Sequence, residues 1–394
     1  MKIIYIYNIF DQKGGIERVL TDKMNYLADV MNYEVTLVTY MQGKNPFPFP
    51  LDKKVKHIDI GYNLSVTYKF NFLKQEILSK KINSQYKKNL IDIIKEKDAD
   101  VIICNSYDIK GIEVISQLNV RAIKIIETHV ARNFIKYPIY RNVPFLLLQI
   151  ITFYQNIKLN LAIKKFDAIV TLTKEDAELW KKTVPTYTIP NIVTYYPSQN
   201  SPCINNKVIA VGRISEQKGF DLLIEAWKEI NKKHPNWTLD IYGDDKTGKD
   251  LKECLIHSIK KLHLDNCIKF NLAIDNIFDK YLESSIFVLS SRFEGFGLVL
   301  IEAMACGLPS VAFDCPFGPK EIISNGENGI LVKYLDIEEL AEKINYLIEN
   351  ESIRIKMGEM AREDVKYYLK DNIMPKWVDL FKELILKKQQ KSKK

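Results

Sequence analysis

Between Ile286 and Phe313 the chain reads as an apolar strand, a glycine-punctuated turn, an alanine-rich helix and a second apolar strand, and that order leaves few folds open. Such a unit belongs to parallel α/β sheets whose helices cover both faces. The turn is Arg292-Phe293-Glu294-Gly295-Phe296-Gly297, and the helix opens near Gly297 or Leu298, continuing through Val299 to Glu302-Ala303-Met304-Ala305-Cys306. A helix N-terminus carries unpaired amides and partial positive charge, so this loop can receive a phosphate. Glu302 then lies roughly 6–7 Å along the helix axis, about the distance from a diphosphate to the ribose beside it. The spacing gives two carboxylates separate jobs: Glu294 in the loop can accept hydrogen bonds from sugar hydroxyls, and Glu302 from the ribose. For any such pair taken alone, an exposed loop glutamate and a helix-surface glutamate are the plainer alternative.

At 394 residues the chain exceeds one ordinary core, which predicts two domains. Its 46% apolar and 27% charged content is globular. The six cysteines, at 104, 203, 254, 267, 306 and 315, show no C-x₂-C pair and read as reduced, small core residues. The opening Met1-Lys2-Ile3-Ile4-Tyr5 run is cut by Asp11 and the Gly14-Gly15 turn, so a buried strand is expected rather than a signal peptide. No transmembrane helix is expected, because the longest apolar stretch, Val143 to Tyr154, falls well short of the ~20 residues that span a bilayer.

Strands are predicted at Lys2–Tyr7, Glu34–Thr39, Val55–Asp59, Val101–Asn105, Ala122–Glu127 and Ala168–Leu172, with helices at Ile16–Met31, Ser84–Lys95 and Val143–Lys165. The proline-bearing segment from Ile189 to Pro202 reads as an extended linker. Alternation then restarts: strand Lys207–Val211, helix Gly219–Lys232, strand Thr238–Tyr242, helix Lys249–Leu262, strand Ile268–Phe270, the unit above, strand Ile330–Leu331 and helix Ile337–Glu349. Ligands of such sheets bind beyond the carboxyl ends of the strands. The expected domains are residues 1–197 and 203–370, with a last helix at about 371–394.

Several smaller constellations bear on chemistry. Gly212-Arg213-Ile214-Ser215-Glu216-Gln217-Lys218-Gly219 follows a strand and precedes a helix, so Arg213 as a planar fork and Lys218 as a point charge can both reach a diphosphate. Surface cations between two elements are the alternative. Gly14 and Gly15 open the first helix, where bare backbone lets a phosphate or sugar approach, although a simple turn is equally open. Asp98-Ala99-Asp100 matches a metal-holding D-x-D pattern but precedes a strand and reads as a turn, and Asp244-Asp245 reads as a loop. No metal site is expected, nor a His/Cys ligand spacing.

The Phe-Glu-Gly-Phe-Gly and Glu-Ala-Met-Ala-Cys-Gly-Leu-Pro runs around Glu294 and Glu302, with the Arg213/Lys218 loop about 80 residues earlier, closely resemble the retaining glycosyltransferases of family 4. That resemblance implies the GT-B fold, an α/β class of two Rossmann-like domains facing across a cleft, with the last helix crossing back onto the first. It implies that Arg213 and Lys218 hold the leaving diphosphate and that His129, at a strand end, hydrogen-bonds the donor sugar. Glu17 is then a possible acceptor contact. Asp314-Cys315-Pro316-Phe317-Gly318-Pro319-Lys320-Glu321 looks like the branch that assembles capsule, exopolysaccharide and related glycans, with amides near Phe317 and Gly318 supporting the sugar and Glu321 capping a helix.

The implied function is metal-independent transfer, with no cofactor, of a hexose or N-acetylhexosamine from a nucleotide sugar, expected to be a UDP-sugar, to a glycan or lipid-linked acceptor. The rivals are a non-catalytic nucleotide-sugar-binding subunit and a GT-B-like epimerase or phosphorylase. The formal charge of +8 is uneven: residues 1–200 hold 28 Lys and Arg against 19 Asp and Glu, and the remainder 29 against 30. With the helix from Val143 to Lys165 and the lysines among residues 387–394, this predicts salt-reversible contact with an anionic cytoplasmic membrane surface, against a merely solubilising surface; no nucleic-acid partner is expected.

Overall fold

The computed structural model describes residues 1–11, 13–61, 70, 72–106, 108–134, 145–244 and 251–392. Val143, Asp245, Lys249 and the last two lysines lie outside the described residues. Two compact units divide the chain: Met1–Ile189 with Met374–Lys394 form unit 1, and Pro190–Ile373 form unit 2.

Unit 1 contains β1 Lys2–Tyr7, β2 Glu34–Thr39, β3 Lys56–Asp59, β4 Val101–Asn105, β5 Ile123–Glu127, β6 Ala168–Thr171 and β7 Thr186–Thr188. They pair in the order β3-β2-β1-β4-β5-β6-β7, every pair parallel. Unit 2 contains β8 Lys207–Val211, β9 Thr238–Tyr242, β10 Ile268–Asn271, β11 Ile286–Leu289, β12 Ser310–Phe313 and β13 Gly329–Val332, in the parallel order β10-β9-β8-β11-β12-β13. Central strands such as β4, β5, β11 and β12 are buried along their whole length, because helices cover both faces and no residue faces water. In each sheet the order reverses beside its first strand, between β1 and β4 and between β8 and β11. At such a switch point the two flanking loops diverge and leave a crevice at the carboxyl ends.

Most elements anticipated from periodicity are present, with ends shifted by a residue or two; Ile337–Glu349 and Lys207–Val211 coincide with their expected spans. The helix expected over Ser84–Lys95 extends over Phe72–Lys97. Periodicity did not reveal strand β7 or the helices Ile109–Ser116, Lys174–Trp180 and Glu351–Asp364. In the last of these, Arg354 occupies a core position and hides the apolar stripe. It is 2% exposed and donates to the carbonyls of Cys203, Leu347 and Ile348. The D-x-D pair serves the backbone: Asp98 turns at φ 46°, and the Asp100 carboxylate accepts from the Lys2 amide at 2.8 Å. All six cysteines are free thiols, five of them buried.

Candidate functional site

In unit 2, the loops that leave β8, β11 and β12 converge at the β8/β11 switch point. Ile214, fully buried, anchors the first loop. A 3-10 turn, Glu216–Lys218, then ends at Gly219. The Lys218 stem runs back over Gly212, where a Cβ would stand 2.8 Å from Lys218 Cε, so the loop needs glycine there for its lysine to reach inward. Ser290 Oγ donates to the Lys218 carbonyl, the Arg292 amide donates to the Gln217 carbonyl, and Arg292 grips Asp221 with two bonds of 2.8 and 2.7 Å. These contacts hold the loops together.

Lys218 Nζ lies 2.7 Å from Glu294 Oε1, which also accepts from Ser291 Oγ at 2.6 Å. Glu294 Oε2 has no side-chain or backbone partner among the described residues, so one oxygen fixes the carboxylate and the other can accept a further hydrogen bond. The Arg213 side chain is exposed and likewise makes no ion pair or hydrogen bond among the described residues. Helix Leu298–Ala305 follows Gly297, which adopts φ 96° as its cap and offers no side-chain bond; the Leu300 amide donates to the Gly297 carbonyl, while the Leu298 and Val299 amides have no partner among the described residues. Gly295 and Phe296 belong to the turn before this helix, and Val299 is its second residue. Half-buried Glu302 stands one helical turn in, beside Tyr281 and Cys306, whose ionisation is pushed up by burial first and by the Glu302 charge second.

The third loop closes against this turn. Gly318 adopts φ 95°, and a Cβ there would lie 2.2 Å from the Phe296 carbonyl oxygen, so no other residue allows the approach. The Glu294 amide donates to the Pro316 carbonyl, and Phe317 is buried beside it. Glu321 sits in the first turn of the short helix Pro319–Ile322, whose N-cap is Gly318.

In unit 1, Gly14 precedes helix Gly15–Asp29 and offers no side-chain cap. Glu17, 8% exposed, accepts from Tyr7 Oη at 3.4 Å. His129 lies just past β5, its Nε2 3.5 Å from Glu127 Oε1, and the same oxygen meets Lys23 Nζ at 2.5 Å. Burial chiefly lowers the His129 pKa to about 4, with Lys23 lowering it further against an opposing Glu127 charge, so the imidazole is neutral near pH 7. Burial also lowers the Lys23 pKa, opposed by Glu127. Its ammonium rests 3.5 Å from the centre of the Trp377 ring.

Sequence reasoning named His129 but missed Lys23 and Glu127. A signal existed: Lys23 occupies a core position in the apolar series Val19, Leu20, Met24, Leu27, and Glu127 ends an otherwise apolar strand. Among the described residues, no group of three or more His, Cys, Asp or Glu side chains comes together as a metal site.

A doubly wound sheet with a lysine, an arginine and a glycine-capped helix start at its switch point is an α/β architecture of the kind that binds ligands beyond the carboxyl ends of its strands. A family model described as Glycosyl transferases group 1 matches residues 197–364, which carry these loops. Over 377 residues the chain is 30% identical to an uncharacterized glycosyltransferase of Haemophilus influenzae, covering 95% of this chain and 97% of that one. It is 26% identical to the amylovoran biosynthesis glycosyltransferase AmsD of Erwinia amylovora, covering 96% and 99%. Among solved structures, HepE of Anabaena in complex with UDP matches with a TM-score of 0.74 at 19% identity, covering 97% of this chain and all of that one. The chain belongs to the glycosyltransferases, residues 197–364 match the group 1 model, and its fold is GT-B.

Proposed function

We propose that the protein is a retaining glycosyltransferase of family 4 that moves a hexose or N-acetylhexosamine from a UDP-sugar to a glycan or lipid-linked saccharide during surface polysaccharide synthesis. The observation that carries this reading is the Lys218–Glu294 contact at the switch point, a cation and a carboxylate with one free oxygen beside an open helix start. Arg213 and Lys218 bind the diphosphate and stabilise the charge that builds on it as the glycosidic bond breaks. Glu302 accepts from the ribose, and Glu294 Oε2 accepts from a sugar hydroxyl. His129 contributes a neutral imidazole to a sugar hydroxyl. Retention follows when the acceptor hydroxyl attacks from the face the nucleotide leaves, its proton passing to a diphosphate oxygen, so no separate general base is assigned. Leaving-group stabilisation by two cations and helix amides makes the proposed reaction metal-independent.

HepE, solved with UDP, supports the choice of base, and AmsD, named for amylovoran biosynthesis, supports the acceptor class. A panel of UDP- and GDP-sugars tests the reading. Release of UDP with transfer to a saccharide acceptor, an unchanged anomeric configuration by NMR, and activity that survives a chelator are the expected results. Tight donor binding with no nucleotide release over hours would instead mark a non-catalytic binding subunit.

A further inference from the structure

Helix Phe145–Ile163 has two apolar faces. Leu159, Ala162 and Ile163 point into the core of unit 1. On the other side Ile150, Phe153, Tyr154, Ile157 and Leu161 are 64%, 68%, 66%, 43% and 57% exposed. At 3.6 residues per turn these five share an arc of roughly 100° and a length of roughly 16 Å. A surface helix ordinarily turns its single apolar stripe to the core, so a second stripe in water calls for a partner.

Charge identifies that partner. Lys164 and Lys165 are exposed at the end of the same outer face, and no Asp or Glu occurs from residue 145 to residue 165. Unit 1 as a whole holds 35 Lys and Arg against 21 Asp and Glu, whereas unit 2 holds 22 against 28. Pairing this face with a second copy would bring two strongly basic units together. An anionic bilayer offers the opposite charge and an apolar layer beneath it, and among the described residues no helix is long and apolar enough to cross one.

We propose that the outer face of helix Phe145–Ile163 lies in the interfacial layer of an anionic membrane, with Phe153 and Tyr154 at headgroup depth and Lys164 and Lys165 against lipid phosphates. The proposal deepens the lipid-linked acceptor reading, on which it rests for its biological purpose. It also moves the contact away from the C-terminal tail expected from sequence. Lys387 already pairs with Glu383, and Lys388 with Asp167 and the Ala122 carbonyl.

The test uses the full chain with vesicles of phosphatidylcholine alone and of phosphatidylcholine containing about one-third phosphatidylglycerol. All four native tryptophans, Trp180, Trp227, Trp237 and Trp377, are buried, so Phe153→Trp adds one environment-sensitive reporter to a quiet background. A blue shift and protection from an aqueous quencher are expected with the anionic vesicles at low salt. Lys164→Glu with Lys165→Glu should weaken sedimentation with those vesicles about 25-fold or more, at roughly fivefold per lysine. Ile150→Ser with Phe153→Ser should weaken it as well, and removal of residues 387–394 should change it by less than about twofold. Donor hydrolysis without vesicles checks that each variant is folded, and a wild type that binds vesicles without hydrolysing donor would sink the transferase reading alone. An unshifted reporter, outer-face variants that sediment like wild type, or a lipid-free dimer that Ile150→Ser with Phe153→Ser makes monomeric would each overturn the membrane proposal.

Discussion

Lys218 and Glu294 meet at 2.7 Å in unit 2, and Lys23 and Glu127 meet at 2.5 Å in unit 1, yet the two pairs stand in opposite surroundings. The first joins two loops at strand ends, with side chains 13% and 7% exposed and Glu294 Oε2 without a partner among the described residues. The second pair, 3% and 2% exposed, joins a core-facing helix position to a central strand, and among the described residues Glu127 Oε2 is buried without a hydrogen-bond partner. An ion pair near water can exchange one partner for a ligand at modest cost. A pair without water cannot, because either charge left alone carries its full desolvation penalty. On the proposed reading the loop pair exchanges a partner for a ligand, while the buried pair constrains the structure.

The largest expected effect lies in the buried pair. Glu127→Ala should destabilise the protein by about 3–5 kcal/mol in urea unfolding, since it strands the Lys23 ammonium, and Lys23→Met with Glu127→Leu should recover most of that loss. A cost no greater than that of removing the exposed Lys54–Asp29 pair, about 0–1 kcal/mol, would break the contrast. Next, Lys218→Ala and Arg213→Ala should each cost on the order of 2.7–4 kcal/mol in kcat with much smaller loss of folding stability than Glu127→Ala. Wild-type turnover in both variants would refute the diphosphate assignment.

A third effect concerns pH. His129 has a folded pKa of about 4 against an ordinary 6.5, so between these values the unfolded chain binds more protons and stability falls as pH falls. The loss across that window should be on the order of 3 kcal/mol, and His129→Gln should flatten it in unfolding curves taken from pH 7 to pH 4. The smallest effect sharpens the loop pair itself. Glu302→Ala should weaken binding of free UDP by about 1 kcal/mol in calorimetry, whereas Glu294→Ala should leave it unchanged or tighter, because it frees Lys218 for the diphosphate. Equal losses in both variants would undo the division of roles.

Much of the second unit was legible in the sequence, because its catalytic-type residues sit in short loops whose flanking strands and helices declare themselves by period. Gly297 and Leu298 mark the helix start, and Arg213 and Lys218 follow directly on an apolar strand. Unit 1 was less legible. Lys23 and Glu127 lie inside regular elements, where a charged residue looks like an interruption of the apolar pattern until its partner is known. The outer stripe of helix Phe145–Ile163 shows the converse difficulty. An apolar run announces a helix, but only the packed structure shows which of its two greasy faces remains uncovered.

By itself, the sequence determined two rounds of strand-and-helix alternation, glycines where backbones must turn or approach closely, and cations beside the turns, all of which act over a few residues. Tertiary structure alone decided which charges meet: Lys218 with Glu294 across 76 residues, and Lys23 with Glu127 across 104. Local propensity carries no information at that separation. The order in which parallel strands assemble brings distant strand ends side by side, and burial then decides whether a pair is held for structure or left open to a ligand.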